Sequence, residues 1–235
     1  MARLRAAFLS WKVRGVERYD IAFDTKPLPD LFRADAPFLC RCRIHCVGGV
    51  ALDVVNKKKG KRGVLLAVLS FLTQEEIGTI EAGREILLRL QEEYYGEIET
   101  ASMEKLTEAV KKIAQEFINQ EEKLEICAAC LIRNTLYLAI FGSGQIWLKR
   151  QGLLGKVLEG DPPVDGQVSN ASGLVEEGDL LLLGTSSFFS ILGQGVLRAA
   201  LENNDPQEAV ETLAPLVHGQ ESVSQAAALI GKIKV

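Results

Sequence analysis

Three apolar runs separated by breaks of two or three residues constrain this chain more than any other feature. They are Leu124–Ile132, Leu136–Phe141 and Ile146–Lys149. The intervening residues, Arg133–Asn134 and Gly142–Ser143–Gly144, leave no room for a helix. Parallel strands need a crossover of roughly a dozen residues or more, so neighbouring runs are expected to pair as antiparallel hairpins. Runs this apolar also require at least one covered face.

The rest of the chain supplies the cover. Residues 6–24 suggest a strand, a turn near Gly15 and a second strand. Thr25–Ala36, with Pro27 and Pro29, reads as a loop. Pro37–Val55 has a long strand pattern, and Asn56–Arg62 is expected to be a hairpin turn leading to the apolar run Gly63–Leu69. Glu75–Tyr95 then places Ile77, Ile80, Ile86, Leu87, Leu90 and Tyr94 on one helical stripe. Met103–Gln120 repeats the pattern with Leu106, Val110, Ile113, Ala114 and Phe117. The two are expected to form an antiparallel pair laid on the sheet, glutamates outward. Val157–Gly178 reads as a polar, Gly/Pro-containing stretch that includes an irregular excursion, and Asp179–Gly184 as a buried strand. Ser187–Leu192, Gly195–Glu202 and Pro206–Leu216 read as helices, and Ser224–Ile233 as a closing strand. This order predicts one α/β domain over residues 1–235, two antiparallel sheets flanked by helical pairs.

Composition narrows the function classes. With net charge −4, nucleic acid is not expected as the main partner. Arg41, Arg43, Lys57, Lys58, Lys59, Lys61 and Arg62 make this region basic, and the turn Asn56–Arg62 within it is read as solvated. No segment approaches the roughly 18 apolar residues of a membrane helix, and Ala6–Leu9 is too short for a signal core. A cytoplasmic protein is the expectation. The five cysteines are odd in number. A metal site could combine Cys40, Cys42 and Cys46 with Cys127, Cys130 and His45. Cys127 and Cys130, however, are three apart in a strand and face opposite ways, so core thiols in a reducing compartment are the reading adopted.

The central stretch also carries a resemblance. LYLAIFGSGQIWLKRQG resembles the LYVANVGDSRAYLxRxG segment of the protein phosphatase 2C (PPM-type, metal-dependent Ser/Thr phosphatase) family. Gly142, Leu148, Arg150 and Gly152 match, whereas Ser143 stands at the Asp and Gln145 at the Arg. Four further segments resemble the family in order. Arg18-Tyr19-Asp20 lies where an Asn-Glu-Asp signature belongs, and only Asp20 agrees. Leu66–Thr73 resembles FAVxDGxGG, with Ser70 at the metal-ligand Asp and Phe71, Thr73 and Gln74 at glycines. Gly178–Ser186 resembles GDxFLLxSDG, with Ser186 at the metal-ligand Asp and Ser187 at the Gly. Glu221-Ser222-Val223-Ser224 resembles Asp-Asn-Ile-Thr.

The resemblance implies the phosphatase-2C sandwich and, in its active form, hydrolysis of phosphoesters by two Mg²⁺ or Mn²⁺ ions held by aspartates. Such ions need hard anionic oxygens. Ser70 and Ser186 offer neutral hydroxyls, Glu221 could still ligate, and the ring of Phe71 is expected to fill space a glycine leaves open. Arg14 or Arg18 could take the phosphate-binding role. Three serines at carboxylate positions raise the idea of a hydroxyl nucleophile, but His45 and His218 are the only histidines and neither is placed as its base. The expectation is a catalytically inactive, phosphatase-2C-like domain, without bound cofactor, that binds a protein partner or a ligand. The alternative is an active metal-dependent Ser/Thr phosphatase with an atypical Mn²⁺ or Mg²⁺ site.

Overall fold

The computed structural model describes residues 3–10, 50–55, 63–72, 79–96, 101–117, 123–162, 167–218 and 226–234. Its strands are β1 (Arg3–Ser10), β2 (Val50–Val55), β3 (Val64–Leu72), β4 (Lys123–Ile132), β5 (Thr135–Phe141), β6 (Gln145–Arg150), β7 (Leu153–Glu159), β8 (Ser169–Leu174), β9 (Leu180–Gly184) and β10 (Ala227–Lys234). The helices are α1 (Thr79–Tyr95) and α2 (Ser102–Phe117) between β3 and β4, then α3 (Ser186–Ile191), α4 (Gln194–Ala200) and α5 (Pro206–His218) between β9 and β10. The strands form two five-stranded sheets ordered β2-β3-β4-β5-β8 and β1-β10-β9-β6-β7, with antiparallel neighbours throughout.

Four layers follow from the alternation of side chains along these strands. One face of β3 and β4 sends Leu65, Leu69, Phe71, Ile126 and Cys130 against Ile86, Leu90 and Tyr94 of α1 and Leu106, Val110 and Ile113 of α2. The other face sends Leu66, Val68, Cys127 and Leu131 against Ile146, Leu181, Leu183 and Leu229 of the second sheet. The outer face of that sheet, with Trp147, Leu182 and Ile230, is covered by Phe188, Leu197, Leu201 and Leu213. The predicted antiparallel sandwich with flanking helices is what forms.

Helix placement has local causes. Asp205 accepts from the N–H groups of Gln207 and Glu208 at 2.9 and 3.1 Å, capping α5, whose first residue is Pro206. Buried Lys149, on β6, donates to the carbonyls of Leu201 and Glu202 at 2.5 and 3.0 Å and so satisfies the end of α4. Arg89 and Lys112 bridge α1 and α2 to Glu116 and Glu93. Those pairs are exposed and worth about 0–1 kcal/mol each.

One expectation needs correction. The break Gly142–Gly144 is not a hairpin: β5 pairs with β4 and β8, while β6 belongs to the other sheet. The chain crosses between layers there, which the glycines permit. Gly142 has φ +85, and a Cβ on Gly144 would stand 2.2 Å from the sulfur of Cys127. Val157–Gly178 holds the end of β7 and all of β8, with residues 160–162 and 167–168 outside regular structure between them. The Gln151–Gly152 turn joining β6 to β7 has both residues at positive φ, as a two-residue hairpin requires. The expected second strand and turn within residues 6–24, the loop Thr25–Ala36, the first part of Pro37–Val55 and the turn Asn56–Arg62 lie outside the described residues. No helix among the described residues is long and apolar enough to cross a membrane.

Candidate functional site

The end of β3, the start of β4, the β5–β6 crossing and the β9–α3 junction meet at one end of the sandwich. Ser70 pairs with Glu125 across β3 and β4. Both share parity with the residues that face the second sheet: Leu66 and Val68 on one strand, Cys127 and Ala129 on the other. Opposite them β9 ends at Gly184, and Thr185 fixes the exit. Its N–H donates to the carbonyl of Ala227 at 2.9 Å, and its hydroxyl accepts from the Ala227 N–H at 3.0 Å. The next residue, Ser186, opens α3.

Ser186 and Glu125 are joined twice. The Ser186 N–H donates to Oε2 of Glu125 at 2.9 Å, and its hydroxyl donates to Oε1 at 2.5 Å. The carboxylate thus spans the two sheets and occupies both oxygens on one serine. Gly142 lets the crossing close around it. A Cβ there would lie 3.0 Å from Cγ and 3.2 Å from Cα of Glu125. Charge-assisted hydrogen bonds are each worth about 1.5–3 kcal/mol net, more than neutral ones. The pair is therefore expected to couple: in a double-mutant cycle, Glu125→Ala and Ser186→Ala should lose about 1–2 kcal/mol less together than the sum of the singles. Strict additivity in urea melts would mean that the contact contributes nothing.

Of the residues singled out in the sequence, Ser70 and Ser186 come together through Glu125. Ser143 follows Gly142 at the crossing, half-buried. Arg14, Arg18, Asp20 and Glu221 lie outside the described residues, as do Cys40, Cys42, Cys46 and His45. Phe71 does not fill the cleft. It is one residue on from Ser70, so it points to the opposite face and packs under α1 and α2. No base for a serine is evident in the sequence, yet a carboxylate sits on the Ser186 hydroxyl. The signal for Glu125 is there: it is the one charged residue within the apolar run Leu124–Ile132, at a position facing the other sheet.

Cys127 and Cys130 occupy different core layers. The Cys127 thiol donates to the Gly184 carbonyl at 3.3 Å, and Cys130 shares a hydrogen bond with the Tyr94 hydroxyl at 2.7 Å. Burial pushes both thiols up, Cys130 to about 12, away from the thiolate form a metal needs. These two do not share a metal.

No protein-family model matches the sequence, and no curated protein matches it. Solved structures do. A bacterial serine phosphatase, in a variant with one arginine replaced by alanine, superimposes over 100% of both chains, with TM-score 0.68 and 11% identity. The catalytic domain of the serine/threonine phosphatase PstP, in complex with two manganese ions, matches 80% of this chain and 97% of its own. Its TM-score is 0.61 and its identity 15%. The phosphatase domain of SpoIIE from Bacillus subtilis, with a fragment of its regulatory domain, matches all of this chain and 63% of that one (TM-score 0.62, 14% identity). The fold is that of the PP2C phosphatases.

A PP2C fold raises the question of a metal pair, against which the described donors can be set. At positions 70, 143 and 186, where the resemblance places aspartates, the chain carries hydroxyls. Glu125 pairs in register with Ser70 and holds one hydrogen bond from Ser186 on each of its oxygens. Among the described residues no group of three or more His, Cys, Asp or Glu side chains could hold a metal ion. Two dications need several anionic oxygens with free lone pairs. The described donor set does not fit them.

Proposed function

We propose that this chain is a pseudophosphatase: a phosphatase-2C-like domain without phosphoester hydrolysis of its own, acting in regulation or signalling by binding a protein partner or a ligand. The observation that carries the reading is that hydroxyls stand at positions 70, 143 and 186, where the resemblance places aspartates, with Glu125 hydrogen-bonded through both oxygens to Ser186. Metal-assisted hydrolysis needs a water polarised between cations, and cations need carboxylate oxygens with coordination positions to spare. The net charge of −4 favours a protein over a nucleic acid as partner, and the cytoplasm is the proposed location.

The test is a phosphatase assay joined to a melt. The purified chain in manganese should leave aryl phosphates and phosphopeptides unhydrolysed. Its melting curves in EDTA and in MnCl₂ should superimpose. A bound cation at about 100 times its Kd would add about 2.7 kcal/mol, several degrees for a chain of this size. Manganese-dependent turnover abolished by Ser70→Ala and Ser186→Ala would overturn the proposal. So would a manganese-induced rise in melting temperature that Glu125→Gln removes. Either result selects the second reading, an active Ser/Thr phosphatase with an atypical Mn²⁺ or Mg²⁺ site. One observation favours that reading: Glu125 itself brings a carboxylate to the cleft.

A further inference from the structure

Ser70 and Ser186, which stand at two metal-ligand aspartates of the resemblance, belong to different sheets. Ser70 lies on β3, and Ser186 follows β9. A cation held by carboxylates at both positions would tie one sheet to the other. The described donors do not fit such a cation, yet the sheets are joined here by the chain itself. Glu125, on β4 and in register with Ser70, accepts from the Ser186 N–H at 2.9 Å and from the Ser186 hydroxyl at 2.5 Å. Two residues along the same face of β4, the Cys127 thiol donates to the carbonyl of Gly184 at 3.3 Å. Two successive inward positions of β4 therefore hold the end of β9.

The middle of the sandwich is different. There the inner faces meet through apolar side chains such as Leu66, Val68, Leu181 and Leu183, and apolar attraction is non-directional. At the opposite end Arg150, on β6, donates to the carbonyl of Leu174, on β8, at 2.8 Å. Directional contacts thus stand at both ends of the apolar layer. At the cleft end the contact holds one negative charge with a donor on each oxygen. Carboxylates at 70 and 186 would replace that balance with three anions in one place, and like charges so close disfavour one another unless a cation offsets them.

We propose that the Glu125–Ser186 pair is a metal-free clasp. It fastens β4 to the β9–α3 junction where a cation would otherwise bridge the sheets, and the serines at 70 and 186 keep a latent cation site closed. The clasp rests on the pseudophosphatase reading and deepens it, by naming what holds this end of the sandwich together without metal.

Reversing the two serines tests it. Ser70→Asp with Ser186→Asp removes the clasp and sets two further carboxylates beside Glu125. In EDTA this double variant should melt several degrees below the parent. In about 1 mM MnCl₂ it should regain most of that loss, and adding Glu125→Gln should abolish the gain. Hydrogen exchange in EDTA reads the clasp directly: the Ser186 amide should exchange about tenfold faster in Glu125→Ala than in the parent, the factor expected for one lost charge-assisted hydrogen bond. With a parent indifferent to manganese, a double variant that is also indifferent, or unfolded with and without the ion, overturns the clasp and leaves the pseudophosphatase reading standing. A gain that survives Glu125→Gln, or a Ser186 amide unchanged in Glu125→Ala, overturns the clasp equally. A parent that manganese itself stabilises defeats the pseudophosphatase reading, and the clasp with it.

Discussion

Arg150→Ala is expected to destabilise the protein by about 3 kcal/mol, the lower end of the loss seen when a buried ion pair is broken from one side. Asp179 is 2% exposed and accepts from the Arg150 guanidinium through Nε at 3.0 Å and Nη2 at 2.6 Å. The same carboxylate accepts from the Glu176 N–H at 2.8 Å. Removing Arg150 leaves a buried anion with one backbone donor. Arg150 is itself a third exposed, so water can partly replace it, which keeps the estimate near the lower bound. For a domain of this length the melting temperature should fall by roughly 10 °C. Arg150→Met with Asp179→Leu, which removes both charges, should recover much of the loss. A single variant within about 0.5 kcal/mol of the parent in urea would show that the pair is solvated rather than structural.

Gly160→Ala should be of similar or greater effect, although it adds only one methyl group. A Cβ at this position would lie 1.9 Å from the carbonyl oxygen of Gly142 and 2.4 Å from Cγ2 of Ile140. The first neighbour is backbone and has no rotamer by which to give way. The crossing must move instead, and the hydrogen bond from the Gly160 N–H to the Gly144 carbonyl goes with it. Overpacking of about 1–3 kcal/mol and a lost hydrogen bond of about 1 kcal/mol add to roughly 3–4 kcal/mol. Because Gly142 also touches Glu125, the variant should lose the Glu125–Ser186 coupling along with stability. Gly155→Ala, in open space, is the control. Equal melting temperatures for the two variants would refute the argument.

Most of the fold can be read from periodicity because its layers are thick and apolar. β3, β4, β5 and β9 are runs buried on both faces, and α1 and α2 carry single stripes. β7 and β8 are harder to see because they are edge strands. With one side of the backbone and most side chains in water, Ser169–Leu174 has no apolar alternation to detect. At Gly142–Gly144 a three-residue break suits a hairpin and a crossing equally. What distinguishes them is the crowding around Gly144, set by Cys127 and Gly184 from distant parts of the chain.

The candidate site is legible in position and not in content. The resemblance points to Ser70 and Ser186, and they do face the same carboxylate. It is silent on that carboxylate, since it marks residues standing where aspartates are expected and not a glutamate elsewhere in β4. The resemblance also puts Phe71 in the cleft, although simple alternation from Ser70 sends it to the other face.

The strand order of the second sheet bears on how the chain is assembled. Among the described strands β1 pairs with β10 alone, and β10 also pairs with β9, so residues 3–10 enter their sheet beside residues 227–234. The sheet β2-β3-β4-β5-β8 is complete by Leu174 and can form while synthesis continues. Its partner sheet cannot close until β10 has left the ribosome. Contacts this far apart in sequence are entropically slow to form, and until they do the inner face of Leu181 and Leu183 has no complete layer around it. β1, made before the other described strands, is therefore among the last of them to be placed, and the interval between the two events is when a nascent chain of this fold most needs protection from its neighbours.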